Sequence, residues 1–412
     1  MENNKKMRSI SMPGYTRIII LLCLISSLGR FVLDSYFPSM PAIGEHFGIS
    51  DAGTQYTLTL YLLGFSVSQL IYGPLSDYYG RRNVIITGML IFIVGNSLCM
   101  FAGSSKILML GRLIAGVGAG ACGVLNRAIA SDCFEGAEFS KAWSYTTTTL
   151  VLTLCIAPLI GGITEQGYGW RANFILSTFY VGFVLFLILK FLPETSKISL
   201  REQSAVNAKN ILKNYYEVLT TPSFIAGTMC YTLSFAGVIA YFQVSPIIFM
   251  GFNNLTPTQY GISSIFIAGN YLLGGYIVNK YVASVGTQAL LTIGTVLLML
   301  GGLTMLTAYA WHYTNVFAVI LTASIYILGA RIIIPNAIAN SMRELRHLGG
   351  TSSALIGCIQ MLGSSLLSVI IASIAKPPQL VLAVSFIVLG GTTLTILLSM
   401  REPRLDEKAI SC

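Results

Sequence analysis

The sequence predicts an all-α polytopic membrane protein, with twelve transmembrane helices arranged as two six-helix pseudo-repeats. Three observations predict it. Of 412 residues, 54% are hydrophobic and only 10% are charged, whereas an average soluble domain carries charge on about a quarter of its residues. Mean hydropathy is +0.73, and the apolar character runs along the whole chain in segments long enough to cross a bilayer. The two halves also echo each other. A soluble globular protein and a soluble domain on a single anchor are both excluded.

A hydrocarbon core of ~30 Å takes about 20 mostly apolar residues per helix. Read with that window, the spans fall at 18–37, 54–72, 84–101, 107–130, 142–163 and 171–191, then at 223–250, 256–278, 287–310, 313–338, 350–374 and 380–400. The start is basic, with Lys5, Lys6, Arg8 and Arg17 against Glu2. It imitates a signal peptide, but the first apolar run is long enough to span and no small-residue cleavage site follows, so an uncleaved first span is expected. The longest polar connection holds Lys197, Arg201, Lys209 and Lys213 and divides the spans six and six. The expected domains are therefore a bundle over 1–191, a cytoplasmic linker over 192–222 and a second bundle over 223–412.

Charge sets the orientation. An even span count puts both termini on one side, and lysine and arginine mark the cytoplasmic side. With the termini inside, only Lys106 and Lys376 lie in outer loops, with Arg171 at the outer edge of span 6. The net charge of +9 then reflects membrane topology, and no basic stripe on a soluble module points to nucleic acid. Most of the eight cysteines fall inside apolar runs without a CxxC pair, so neither a disulfide framework nor a metal site is indicated. The three histidines, His46, His312 and His347, lie near loops and far apart, which leaves an integral-membrane enzyme without a catalytic cluster. No GxxxxGK[ST] loop occurs, so no nucleotide or other cofactor is expected. Energy must come from ion gradients or from the substrate itself.

The internal echo is residue-specific. Gly73 precedes Asp77 by four positions after span 2, and Gly275 precedes Asn279 by four at the end of span 8. Arg127 and Asp132 at the inner end of span 4 match Arg331 and Asn336 at the inner end of span 10, at nearly the same offset. Two matches at nearly one offset favour duplication, as in transporter folds built from repeats.

These residues also carry a resemblance. Gly73-Pro-Leu-Ser-Asp77-Tyr-Tyr-Gly80-Arg81-Arg82, placed between spans 2 and 3, resembles the signature loop of the major facilitator superfamily. Arg112-Leu-Ile-Ala-Gly116-Val-Gly118-Ala-Gly120 is similar to the span-4 motif of its proton-coupled antiporters, with Ala115 where Gln is common. Ala157-Pro158-Leu-Ile-Gly161-Gly162 looks like a reduced antiporter motif. Asp34-Ser-Tyr36-Phe-Pro38-Ser-Met-Pro41, Arg127-Ala-Ile-Ala-Ser-Asp132, Gly169-Trp170-Arg171-Ala-Asn-Phe174 and Gly350-Thr-Ser-Ser-Ala354-Leu355 resemble the Bcr/CflA drug-resistance branch. The resemblance implies the major facilitator fold, a multi-pass place in a bacterial inner membrane and secondary transport. It also implies a cytoplasmic latch built from Gly73, Asp77, Gly80, Arg81 and Arg82. The bland reading of that loop is plain topology, because inside loops carry arginine. Asp77 is positioned to face a helix N-terminus, where an acid gains roughly 0.3–1 kcal/mol.

Arg127 lies twenty residues into span 4, or ~30 Å along it. It is thus expected at the inner boundary, joining Asp77 and Asp132 in a gating ion-pair network rather than binding substrate. Arg331 has no matching acid, so it either pairs with Glu344 or remains open to an anionic substrate. Pro158 permits a bend, and Gly161 and Gly162 permit close packing.

Asp34 is the sharpest residue, the only acid inside any of the spans as drawn. An ionised acid at the bilayer centre costs on the order of 2.5–3.5 kcal/mol even on permissive scales, and isolated intramembrane acids are functional by default. Arg30 lies one turn earlier on the same face, and Arg112 lies at a similar depth. The expectation is proton coupling by Asp34, with Arg30 and Arg112 stabilising its ionised form. The competing reading is that Asp34 merely neutralises Arg30 or caps the chain exit at Pro38. The candidates to line a substrate cavity are Arg30, Tyr36, Tyr61, Asn126, Tyr145, Tyr241, Gln243, Asn270, Arg331 and Gln360.

The function expected is a proton-coupled secondary transporter, an antiporter exporting a drug or an anionic or zwitterionic metabolite such as a siderophore. The alternative is a proton-coupled or facilitative importer of a small anionic metabolite. Expected partners are the small-molecule substrate, protons and the lipid bilayer, with the chain acting as a monomer.

Overall fold

A computed structural model describes residues 12–134, 136–196, 208–345, 348–372, 374 and 377–399. Glu2, Lys5, Lys6, Arg8, Lys197, Arg201, His347 and Lys376, used above, lie outside the described residues. Among the described residues, twelve helices are long and apolar enough to cross a membrane, and the protein is a multi-pass membrane protein.

The first span is α1 (Met12–Asp34), which continues through a 3-10 turn at Phe37–Ser39 into a short α2 (Met40–Phe47). Then follow α3 (Asp51–Tyr79), α4 (Arg81–Met100), α5 (Ser105–Cys133), α6 (Gly136–Tyr168) and α7 (Trp170–Phe191). The connection between the halves contains its own helix, α8 (Ala208–Thr220). The second half comprises α9 (Pro222–Pro246) with a π-helical extension over Ile247–Phe252, α10 (Pro257–Val285), α11 (Thr287–Ala310), α12 (Val316–Ser341), α13 (Gly349–Ala372) and α14 (Pro378–Ser399). The face where α1 starts and α14 ends is called the terminal face; the opposite face is called distal.

Several helices outrun the apolar windows because polar end residues satisfy the orphan backbone groups. Ser50, Ser104 and Asn315 each accept from a backbone amide three residues on, and Thr256 with Gln259 forms a reciprocal capping box. The extension of α3 corrects one expectation. The stretch from Gly73 is not a loop, because the helix runs to Tyr79 with Pro74 inside it. The break comes only at Gly80, whose φ of +90° suits a residue without Cβ. Gly286 makes the same break between α10 and α11 at φ +83°, so the turn recurs in the second half.

Small residues let the spans approach backbone to backbone. A Cβ at Gly116 would meet the backbone of Tyr61 in α3, and one at Gly118 would meet that of Phe92 in α4. Helix α5 is thereby wedged between its two neighbours. The halves meet along α3 and α13, where Ser365 Oγ donates to Thr59 O at 3.2 Å. They meet again at the distal face, where Phe37 stacks on Phe242 with centroids 5.2 Å apart. There Gly162 of α6 also abuts Pro257, and Gly261 of α10 abuts Pro158 and Leu159. On the terminal face, Val218 of α8 is buried with Phe224, Leu345, Leu355 and Ile356, against which Leu70 of α3 packs.

Candidate functional site

Between the halves lies a cavity of about 280 Å³, whose walls come from α1, α3, α5 and α6 on one side and α9, α10 and α13 on the other. Of the sequence candidates, Arg30, Tyr61, Asn126 and Gln360 line it. Asn126 Oδ1 and Gln360 Nε2 are both buried without a hydrogen-bond partner among the described residues. An acceptor from the first half and a donor from the second thus face one space.

The other candidates lie elsewhere. Tyr145 is 48% exposed; it sits two residues beyond the cavity-lining Trp143, about 200° around the helix. The hydroxyls near it are no polar wall, because Thr146, Thr147, Thr148 and Thr149 bond to carbonyls of their own helix. Tyr241 packs edge-on against Phe242, Gln243 is buried in α9, and Asn270 donates to Ser324 Oγ at 3.0 Å. Arg331 stands behind the cavity wall, its guanidinium 4.8 Å from the ring centre of the lining residue Tyr271. No ion pair with Glu344 occurs among the described residues, since Arg331 lies along Gly274 and Gly275 towards Tyr271.

Arg30 Nε donates to Asp34 Oδ2 at 2.6 Å, and Asp34 is fully buried. The one-turn spacing places the pair on one helix face, with Arg30 at the cavity and Asp34 behind it. Asp34 Oδ1 has no hydrogen-bond partner among the described residues. Arg112 does not complete a cluster with Asp34 as expected. It is fully buried between the rings of Tyr36 and Tyr61, 4.2 and 4.4 Å from their centroids, and its Nε, Nη1 and Nη2 all lack hydrogen-bond partners among the described residues. Tyr36 itself shares a 2.5 Å hydrogen bond with Thr57 Oγ1.

Asp34 is also not the only buried acid of the spans. Helix α6 continues to Tyr168 and carries Glu165, 9% exposed, which accepts from Ser39 Oγ at 2.8 Å. The polar stretch Thr164–Gly167 reads as a loop by apolar windowing, and that hid it.

The terminal-face network differs from expectation in its centre. Asp77 and Asp132 pair with Arg81, at 2.5 and 3.0 Å, and Arg81 Nη1 also donates to Ser76 Oγ. Asp77 does not cap α4; Glu194 does, accepting from the backbone amides of Arg81 and Arg82. Arg127 instead crosses to the other half, donating to Ser353 Oγ at 2.9 Å and lying 5.5 Å from the Trp143 ring centre. Arg81 follows the Gly80 turn directly, which aims it back at α3 and α5.

The model of the major facilitator superfamily matches residues 19–368. The chain belongs to the major facilitator superfamily. It is 26% identical over 370 residues to multidrug resistance protein D of Escherichia coli (strain K12), covering 88% of this chain and 90% of that protein. To the bicyclomycin resistance protein homolog of Haemophilus influenzae it is 24% identical, over 86% of this chain and 88% of the relative. To the chloramphenicol resistance protein of Pseudomonas aeruginosa it is 24% identical, over 83% and 80%. Among solved structures, the xylose transporter XylE from E. coli in a partially occluded inward open conformation superposes with a TM-score of 0.74 at 13% identity, over 94% of this chain and 97% of that one. A D-xylose-proton symporter gives 0.75 at 15%, over 92% and 97%. Members of the superfamily are transporters, not enzymes. Within that frame, the lining residues that sequence reading missed include five aromatic ones: Phe65, Trp143, Tyr231, Phe235 and Tyr271. Their one signal is helical spacing, Trp143 lying seven and eleven positions before Leu150 and Leu154 on the cavity face of α6.

Proposed function

We propose that the chain is a proton-coupled antiporter exporting a small uncharged or zwitterionic molecule across a bacterial inner membrane by alternating access. It works as a monomer with both termini in the cytoplasm, the orientation that lysine and arginine favour. The observation that carries this reading is the Arg30–Asp34 pair, a fully buried carboxylate held by an arginine of the cavity wall. A buried charge is tolerated while it is paired, and removing one partner leaves the other uncompensated. A proton on Asp34 therefore frees the Arg30 guanidinium, which turns into the cavity, occupies room there and seeks acceptors. An uncharged substrate needs that same room, so proton and substrate compete, which is the linkage antiport requires. One proton moving down 100 mV supplies ~2.3 kcal/mol. The names of the drug-resistance relatives support export of a drug-like substrate.

A second reading has its own observation. No carboxylate among the described residues lines the cavity, and Arg30 lies at its wall with Arg331 behind it, beside Tyr271. An anion such as a polycarboxylate siderophore suits those two cations. The linkage then reverses, because a freed Arg30 attracts the anion, and proton and substrate bind together as in a symporter.

Proton counting separates the two. Purified protein in weak buffer with a pH dye releases protons when an exported substrate binds and takes them up when a co-transported anion binds. Asp34→Asn is expected to abolish either signal and to lower transport driven by a pH gradient at least about tenfold, while downhill movement persists. Undiminished proton-driven flux in this variant overturns the role of Asp34.

A further inference from the structure

Glu165 takes no part in the coupling described above, yet it sits at the root of the distal seal. Ser39 Oγ donates to Glu165 Oε2 at 2.8 Å, and Asn173 Nδ2 donates to that same Ser39 oxygen at 2.7 Å and to Gly161 O at 3.0 Å. Three elements are tied here: the turn after α1, the end of α6 and the start of α7. One turn before Glu165, Gly161 rests on the backbone of Ser35, and Gly162 rests on Pro257 of the other half.

The hydrogen-bond pattern of this cluster asks for one more proton. Asn173 Oδ1 is buried without a donor among the described residues, although Asn173 and Glu165 meet on one hydroxyl. An ionised Glu165 would be a largely buried charge with one side-chain donor, and it forms no ion pair among the described residues. The charged and titratable groups on the elements packed around it are engaged elsewhere. Arg171 of α7 contacts Ala102 O and His46 of α2; Tyr260 of α10 bonds to Ser245, Tyr36 to Thr57, and Asp34 to Arg30. A protonated Glu165 adds one donor to the cluster and no charge.

We propose that Glu165 is a second proton site, which holds the distal seal closed when protonated and loosens it when ionised. An ionised carboxylate turns towards water at the distal face, and Ser39, Asn173 and the Gly161–Gly162 contacts lose their common anchor. Acid on the distal side thus favours the closed seal, independently of Asp34.

The test uses the full chain in lipid nanodiscs, with native cysteines replaced and spin labels at the exposed distal positions Phe101 and Phe252 (77% and 68% exposed). The inter-label distance is expected to lengthen as pH rises from about 5 to about 8. Glu165→Gln keeps the short distance throughout. Ser39→Ala removes the donor but keeps the acid, so the response persists with its midpoint raised by about one pH unit, which separates proton loss from misfolding. Asp34→Asn retains the response. A Glu165→Gln protein that still lengthens with pH, a wild-type chain that does not, or a response abolished by Asp34→Asn overturns the proposal.

Discussion

Arg112 is a guanidinium with three unpartnered nitrogens, clamped between two tyrosine rings and out of reach of any carboxylate pairing among the described residues. A desolvated cation over aromatic faces gains ~2 kcal/mol or more from each good contact, yet a buried charge without an ion partner still costs stability. Its retention therefore points to transport rather than stability, through the cavity-lining Tyr61 ring that it stacks on. Arg112→Met is expected to raise or leave unchanged the thermal midpoint of the purified protein, while proton-coupled transport falls at least about tenfold. Arg112→Lys restores the charge but not the flat plate that stacks between rings, and transport recovers only in part. A variant that loses stability and transport together would mark Arg112 as a packing residue. Sequence reading reached this site because arginine in a span is conspicuous, and Arg30–Asp34 was legible because four residues make one helical turn. It missed the tyrosine clamp because ring contacts between Tyr36, Tyr61 and Arg112 depend on helix rotation, which spacing within one helix does not fix. It placed Tyr145 in the cavity because a tyrosine inside a span reads as a polar wall residue, although helix rotation turns it outward to 48% exposure.

The elements obey a simpler physics, and most of it was visible in the chain. Apolar run length fixed how many spans to expect, but helix ends escaped the window wherever polar residues continued a capped helix, as at Asp77, Asp132 and Glu165. Glycine content also told less than glycine position. Gly116 touches the backbone of Tyr61 in α3, so any Cβ there must push the helices apart. Gly73 belongs to the same kind of motif, but a Cβ there meets only Val124 Cγ1, at an ordinary 4.0 Å. Gly116→Ala is therefore expected to destabilise by about 1–3 kcal/mol as overpacking and to disturb the Tyr61–Arg112 stack. Gly73→Ala in α3 is expected to be neutral, or stabilising by up to about 1 kcal/mol, as an alanine in a helix interior. Thermal unfolding of the two variants in one detergent reads the contrast, and equal losses would contradict the packing assigned to α5.

At the scale of the whole molecule, the two halves touch at both ends, and the contacts differ in kind. The terminal face is joined by polar and charged groups, such as Arg127 on Ser353, with α8 and Leu70 packed beside them. The distal face is sealed by apolar contact, with Phe37 on Phe242 and glycines against backbone. Opening the distal side must first break that aromatic stack, a pair worth about 0.5–1.5 kcal/mol beyond its buried area. Phe242→Ala should then enlarge the distal-open population roughly two- to tenfold, since each 1.4 kcal/mol is a factor of ten. Cys122 reports this, because it lines the central cavity and is buried in the closed chain. In cells where Cys122 is the only cysteine retained, a membrane-impermeant maleimide added outside should label it faster by that factor in Phe242→Ala than in the parent. Phe386→Ala, whose ring stacks on Tyr326 within the second half, serves as the matched loss of an aromatic pair away from the seal. Acceleration in Phe242→Ala alone supports the distal seal as the barrier to outward opening. Equal acceleration in both reports general loosening, and no labelling in either would place Cys122 out of reach of the distal side and reverse the access route assigned to the cavity.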